Sequence, residues 1–114
     1  MPNRILVLED ETLVALDLKL GLEDAGMSVA GPFERPGDAL EHLRQELPDA
    51  ALLDGDLGGE TSAEVATALA GRGVPFFYLT ARDERFMRNL PPGPVIHKPF
   101  DFAALLTVVR SALS

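Results

Sequence analysis

A parallel α/β fold, five strands alternating with five helices, is predicted from three observations. Short apolar runs at Ile5–Leu8, Ala50–Leu53 and Val74–Leu79 each stop abruptly at polar or turn residues. Such runs read as strands buried on both faces. Between them lie stretches with helical spacing of apolar residues, and that alternation builds a parallel sheet covered on both sides. Finally, Glu9 and Asp10, Asp54, Thr80 and Lys98 stand at the ends of strands. In a parallel sheet those ends share one edge, where ligands and chemistry collect.

The elements follow in order. Ile5–Leu8 is closed by Glu9-Asp10-Glu11, and Thr12–Ala25 is helical with Gly26 as its C′ residue. This helix carries two apolar stripes, Val14, Leu18, Leu22 and Leu13, Leu16, Leu20, roughly 120° apart at 100° per residue. One stripe suffices to cover a sheet. Met27–Ala30 reads as the second strand, broken by Gly31-Pro32. Pro36–Leu47 is helical, with Ala39, Leu40, Leu43 and Leu47 on its core side and His42 facing solvent. Pro48-Asp49 leads into Ala50–Leu53 and Asp54.

Thr61 or Ser62 would cap a third helix carrying Val65, Ala66, Leu69 and Ala70 and ending at Gly71. Val74–Leu79 ends at Thr80. Asp83–Leu90 has room for one or two helical turns before Pro91-Pro92-Gly93-Pro94, so the fourth helix is expected to be short or distorted. Val95–His97 is the last strand, and Asp101 caps a final helix, Phe102–Leu113, with core positions at Phe102, Leu105, Leu106 and Val109.

The 114 residues are read as a single domain, 1–114, long enough to bury roughly two thirds of its unfolded surface. Ten basic residues against 18 acidic ones give a net charge of −8. That balance disfavours direct nucleic-acid or anionic-membrane binding, because both need a basic footprint. With no cysteine, disulfides and thiolate metal sites are excluded. The absence of a long apolar run or a signal pattern points to a cytoplasmic protein.

With strand order 2-1-3-4-5, Asp10 and Asp54 lie on adjacent strands about 5 Å apart, and Lys98 starts roughly 10 Å from Asp54. Clustered carboxylates repel one another and call for a cation. An all-oxygen site on a short turn suits Mg²⁺. Phosphoryl transfer uses an attacking oxygen, a metal, a further cation and a hydroxyl donor. Asp54 would be the nucleophile, giving an aspartyl phosphate. Glu9 and Asp10 would hold the metal with Asp54 and the backbone carbonyl of Asp56, while Lys98 and Thr80 would meet the phosphoryl group.

Glu9-Asp10, Asp54, Thr80-Ala81 and Lys98-Pro99, in this order and spacing, resemble the receiver domain of two-component response regulators, over essentially the whole chain. The resemblance implies a flavodoxin-like (βα)5 doubly wound fold. It also implies a phosphohistidine donor on a sensor histidine kinase or a histidine phosphotransfer protein, and a downstream protein that reads the phosphorylated state. Such a domain is a switch that transfers the group to itself and slowly removes it, not an enzyme turning over an outside substrate. A cis Lys98–Pro99 peptide is likewise implied, and a homodimer is compatible. Two features depart from the family: Val95 stands where an aromatic is usual, and only 17 residues separate Thr80 from Lys98.

Three other functions compete. A nucleotide- or flavin-binding domain would want glycines in the first strand–helix turn, where Glu9-Asp10-Glu11-Thr12 stands instead. A phosphohydrolase with turnover is suggested by Asp56, two residues after Asp54, but the chain is short for the extra motifs. A phosphorylation-independent interaction module of receiver-like fold is favoured by Val95 and opposed by the intact acidic site. His97, in a strand, is read as structural.

Overall fold

The computed structural model describes residues 2–55, 57, 61–81 and 89–113. Among these, five strands and four helices follow in the order β1 (Arg4–Leu8), α1 (Thr12–Asp24), β2 (Ser28–Phe33), α2 (Pro36–Gln45), β3 (Ala50–Asp54), α3 (Ala63–Gly71), β4 (Phe76–Thr80), β5 (Val95–His97) and α4 (Phe102–Leu113). The strands form one parallel sheet in the order β2-β1-β3-β4-β5. Of the segment expected to form the fourth helix, only Asn89 and Leu90 are described, and neither is helical.

Period-2 alternation along the strands sorts the core onto two faces. Leu6, Leu8, Ala51, Leu53 and Tyr78 pack with Ala39 and Leu43 of α2 and Val65, Ala66 and Leu69 of α3. Ile5, Val7, Leu52, Phe77 and Leu79 pack with Leu18 and Leu22 of α1 and Leu105 and Val109 of α4. Every residue of β3 and β4 is buried, the condition that lets a strand be written almost wholly in apolar residues. α1 and α4 approach closely because Gly21 has no side chain: a Cβ there would lie 2.5 Å from Phe102 Cζ.

β2 does not stop at Gly31-Pro32 but runs on to Phe33. Leu6 pairs with Ala30 and Leu8 with Phe33, so β2 carries one extra residue between the two pairings. Such a bulge on an edge strand accommodates a proline, whose missing N–H the outer side of the sheet does not need. The Gly31–Pro32 and Lys98–Pro99 peptides are both cis, the second as expected.

The helix ends follow from their sequences. Pro36 occupies the first turn of α2, where its missing N–H costs nothing. The Ala103 N–H donates to Asp101 Oδ1 at 2.9 Å, which caps α4. Ser62 holds the N-cap position of α3 without a side-chain bond, and the Ala63 N–H donates to Thr61 Oγ1 at 3.4 Å. Leu47 lies beyond α2 and is exposed, and His42 is half-buried against the Phe33 ring, not solvent-facing.

Candidate functional site

Register brings the strand ends together. Leu8 pairs with Leu53, Asp54 with Leu79, and Thr80 with His97. Glu9 and Asp10 leave β1 beside the end of β3, and Lys98 follows β5, its N–H donating to the Thr80 carbonyl at 2.8 Å. Glu9, Asp54 and Thr80 are buried, whereas Asp10 is exposed at the mouth. Glu9, Asp10 and Asp54 each place a carboxylate oxygen within 4.8 Å of the others. Asp56 lies outside the described residues.

Lys98 reaches back over this cluster. Its Nζ is 2.6 Å from Glu9 Oε1, 3.6 Å from Asp54 Oδ2 and 3.7 Å from Glu11 Oε1. The sequence directs this lysine toward Asp54, but its shortest contact is with Glu9. The Glu11 N–H in turn donates to Glu9 Oε2 at 3.1 Å. Glu11 was not singled out from the sequence, although it belongs to the same acidic run.

Burial pushes the Lys98 ammonium toward neutrality, but its hydrogen bond to Glu9 and the charges of Asp54, Glu9 and Glu11 outweigh this and raise its pKa. Burial likewise pushes the Glu9 carboxyl up. Hydrogen bonds with Asp54, Lys98 and the Glu11 N–H hold it below the ordinary value of 4.5. The site therefore pairs a firmly protonated lysine with an ionised buried glutamate. One ammonium faces several carboxylates, so the cluster has acceptor capacity left for a hard cation with oxygen ligands. A carboxylate, an ammonium and a hydroxyl on one sheet edge are the protein groups that phosphoryl transfer to a side chain requires.

The model of the response regulator receiver domain family matches residues 5–110. The chain belongs to this family. Receiver domains are signalling domains of two-component systems, serving histidine kinases or phosphotransfer proteins. This receiver domain is 31% identical, over 99% of its length and 44% of the relative's, to the phyllosphere-induced regulator PhyR of Methylorubrum extorquens. It is 26% identical to the transcriptional regulatory protein PdtaR of Mycobacterium tuberculosis, covering 100% of this chain and 58% of that one. It thus spans about half the length of these relatives. The solution structure of the Erythrobacter litoralis PhyR receiver domain superposes with a TM-score of 0.85 at 28% identity, covering 98% of this chain and 90% of that one.

Beyond the acidic cluster, the receiver domain exposes Leu13, Leu16 and Leu20 on α1 (77%, 47% and 54%), the stripe that the sheet does not use. Val95 is half-buried and packs with the α2/α3 face of the sheet. Its partner across the ladder is Tyr78, a buried aromatic of β4. The sequence reading missed Tyr78. The signal was an aromatic two residues before Thr80 in a chain whose last strand lacks one. Among the described residues, no helix is long and apolar enough to cross a membrane.

Proposed function

We propose that this receiver domain, acting over residues 1–114 as one unit, is a phosphoacceptor switch with Asp54 as the accepting residue. The donor is a phosphohistidine on a sensor histidine kinase or a histidine phosphotransfer protein. An Asp54 carboxylate oxygen attacks phosphorus, the P–N bond breaks, and the donor imidazole leaves. Glu9, Asp10 and Asp54, with the Asp56 backbone carbonyl, would hold Mg²⁺. When bound, that ion supplies charge neutralisation at the phosphoryl oxygens. Lys98, at 3.6 Å from Asp54 Oδ2, turns from Glu9 toward the new phosphoryl group, and the Thr80 hydroxyl donates to it. Water later attacks the same phosphorus and restores the carboxylate, so there is no turnover on an outside substrate.

The observation that carries this is Lys98, which bridges the Glu9 and Asp54 carboxylates at the edge where Asp10 joins them. The exposed Leu13, Leu16 and Leu20 stripe lies on the helix that starts beside that edge, and it suits the apolar surface of the phosphodonor protein. Incubation with Mg²⁺ and a small phosphodonor should add the mass of one phosphoryl group to the intact protein, and Asp54→Asn should abolish the gain. A second possibility, an interaction module that works unphosphorylated, is favoured by Val95 in place of an aromatic. It requires that a partner bind the wild type and Asp54→Asn equally, whatever the phosphodonor present.

A further inference from the structure

Tyr78 is buried to 2% exposure, and its hydroxyl donates to the Pro91 carbonyl at 2.6 Å. Its backbone N–H donates to the Pro94 carbonyl at 2.8 Å. One residue of β4 thus grips both ends of the Pro91-Pro92-Gly93-Pro94 connection. The middle of that connection lies flat on the aromatic pair of β4: a Cβ on Gly93 would come within 2.7 Å of Phe76 Cε2 and 3.2 Å of Tyr78 Cε2. Phe76 and Tyr78 themselves meet edge to face, with centroids 5.4 Å apart.

Tyr78 and Thr80 are two residues apart on one strand, so they share a face of the sheet at about 6.6 Å spacing. Across the ladder from Tyr78 stands Val95, which has one χ angle and little volume. We propose that Tyr78 is the positioning residue that couples the Asp54–Thr80 edge to the Pro91–Pro94 connection, its bond to the Pro91 carbonyl holding the resting state and breaking when Asp54 is phosphorylated. This rests on the phosphoacceptor role proposed above.

The coupling follows from packing. When the Thr80 hydroxyl turns toward a phosphoryl group on Asp54, space opens beside Tyr78 on that face. Val95 is too small to fill it, and Tyr78 is the neighbouring ring on the strand. A phenol that tilts into that space carries its hydroxyl off the Pro91 carbonyl. The proline-rich connection is then held by the Pro94 carbonyl alone, and the surface it presents changes.

The chain contains one tyrosine, no tryptophan and six phenylalanines, so its near-ultraviolet signal at wavelengths beyond the phenylalanine bands reports Tyr78 alone. Wild-type protein is treated with Mg²⁺ and beryllium fluoride, a phosphoryl mimic, in parallel with a small phosphodonor whose adduct is verified by intact mass. The tyrosine spectrum should shift, and exchange of the Tyr78 amide should accelerate about fivefold to tenfold, the loss expected for one hydrogen bond. In Tyr78→Phe the adduct on Asp54 should still form, with that amide already exchanging fast and no further change on phosphorylation. An adduct on Asp54 with an unchanged tyrosine spectrum and unchanged exchange in the wild type overturns the coupling alone. Absence of any adduct overturns the phosphoacceptor role and the coupling with it. The wild-type arm decides even if Tyr78→Phe does not fold.

Discussion

The Lys98 ammonium lies 2.6 Å from Glu9 Oε1 and 3.6 Å from Asp54 Oδ2, so it is held chiefly by the acid that is not the proposed acceptor. Removing one partner of a buried ion pair leaves the other uncompensated. Lys98→Met should therefore destabilise the fold at neutral pH by about 3 kcal/mol. Glu9 is depressed below 4.5 in the folded state, so its contribution is present above that value and is lost as pH falls through the folded value. The gap between wild type and Lys98→Met should accordingly narrow on acidification. Urea midpoints measured across acidic pH check this, and a gap that stays constant would mean that the pair contributes little.

The phenol of Tyr78 is pushed by burial from 10.0 up to about 12. The unfolded chain loses this proton first, so the contribution is full below pH 10 and is lost as pH rises through 12. The loss approaches about 2–3 kcal/mol. Phenolate absorbance of the folded protein should rise near pH 12, and Tyr78→Phe should flatten the alkaline decline in stability.

Gly21 lies in α1, where alanine would favour the helix by up to about 1 kcal/mol. Its absent side chain leaves room for the Phe102 ring of α4. Gly21→Ala should nonetheless lower stability, by about 1–3 kcal/mol, as overpacking does. Adding Phe102→Leu should recover part of the loss, which thermal unfolding of the three variants would measure.

Leu16 is 47% exposed on the stripe of α1 that the sheet does not cover. Leu16→Glu should slow phosphotransfer from the donor protein about tenfold or more, as for a central apolar contact, and spare phosphorylation by a small donor. Equal loss of both would place this leucine in folding, not docking.

Thr80→Ala should be phosphorylated normally yet lose affinity for the downstream partner, whereas Val95→Ala should leave that affinity nearly unchanged. Titration of the partner against both phosphorylated variants separates the two.

Much of this was legible because strands buried on both faces are written as apolar runs, and their ends carry the chemistry. Glu9, Asp10, Asp54, Thr80 and Lys98 fall at such ends, and the order 2-1-3-4-5 brings Glu9, Asp10, Asp54 and Lys98 together. The surplus leucines of α1 were visible as a second stripe and are exposed. What local pattern could not supply was pairing at a distance. Gly31-Pro32 looks like a terminator until β2 is known to be an edge strand with a bulge. Lys98 was aimed at Asp54 and lies closer to Glu9, because the choice between the two acids depends on side-chain reach across two strands. Tyr78 looked like one more apolar strand residue until Pro91 was found against its hydroxyl.

The central claim is that Asp54 accepts the phosphoryl group, and borohydride trapping tests it most directly. An acyl phosphate is reduced by borohydride to an alcohol, which marks the modified carboxylate permanently. After treatment with a small phosphodonor and Mg²⁺, peptide mass spectrometry should find the reduced residue at position 54, and chelation of the metal should remove it. Reduction at Glu9, Asp10 or another carboxylate with position 54 intact would contradict the account.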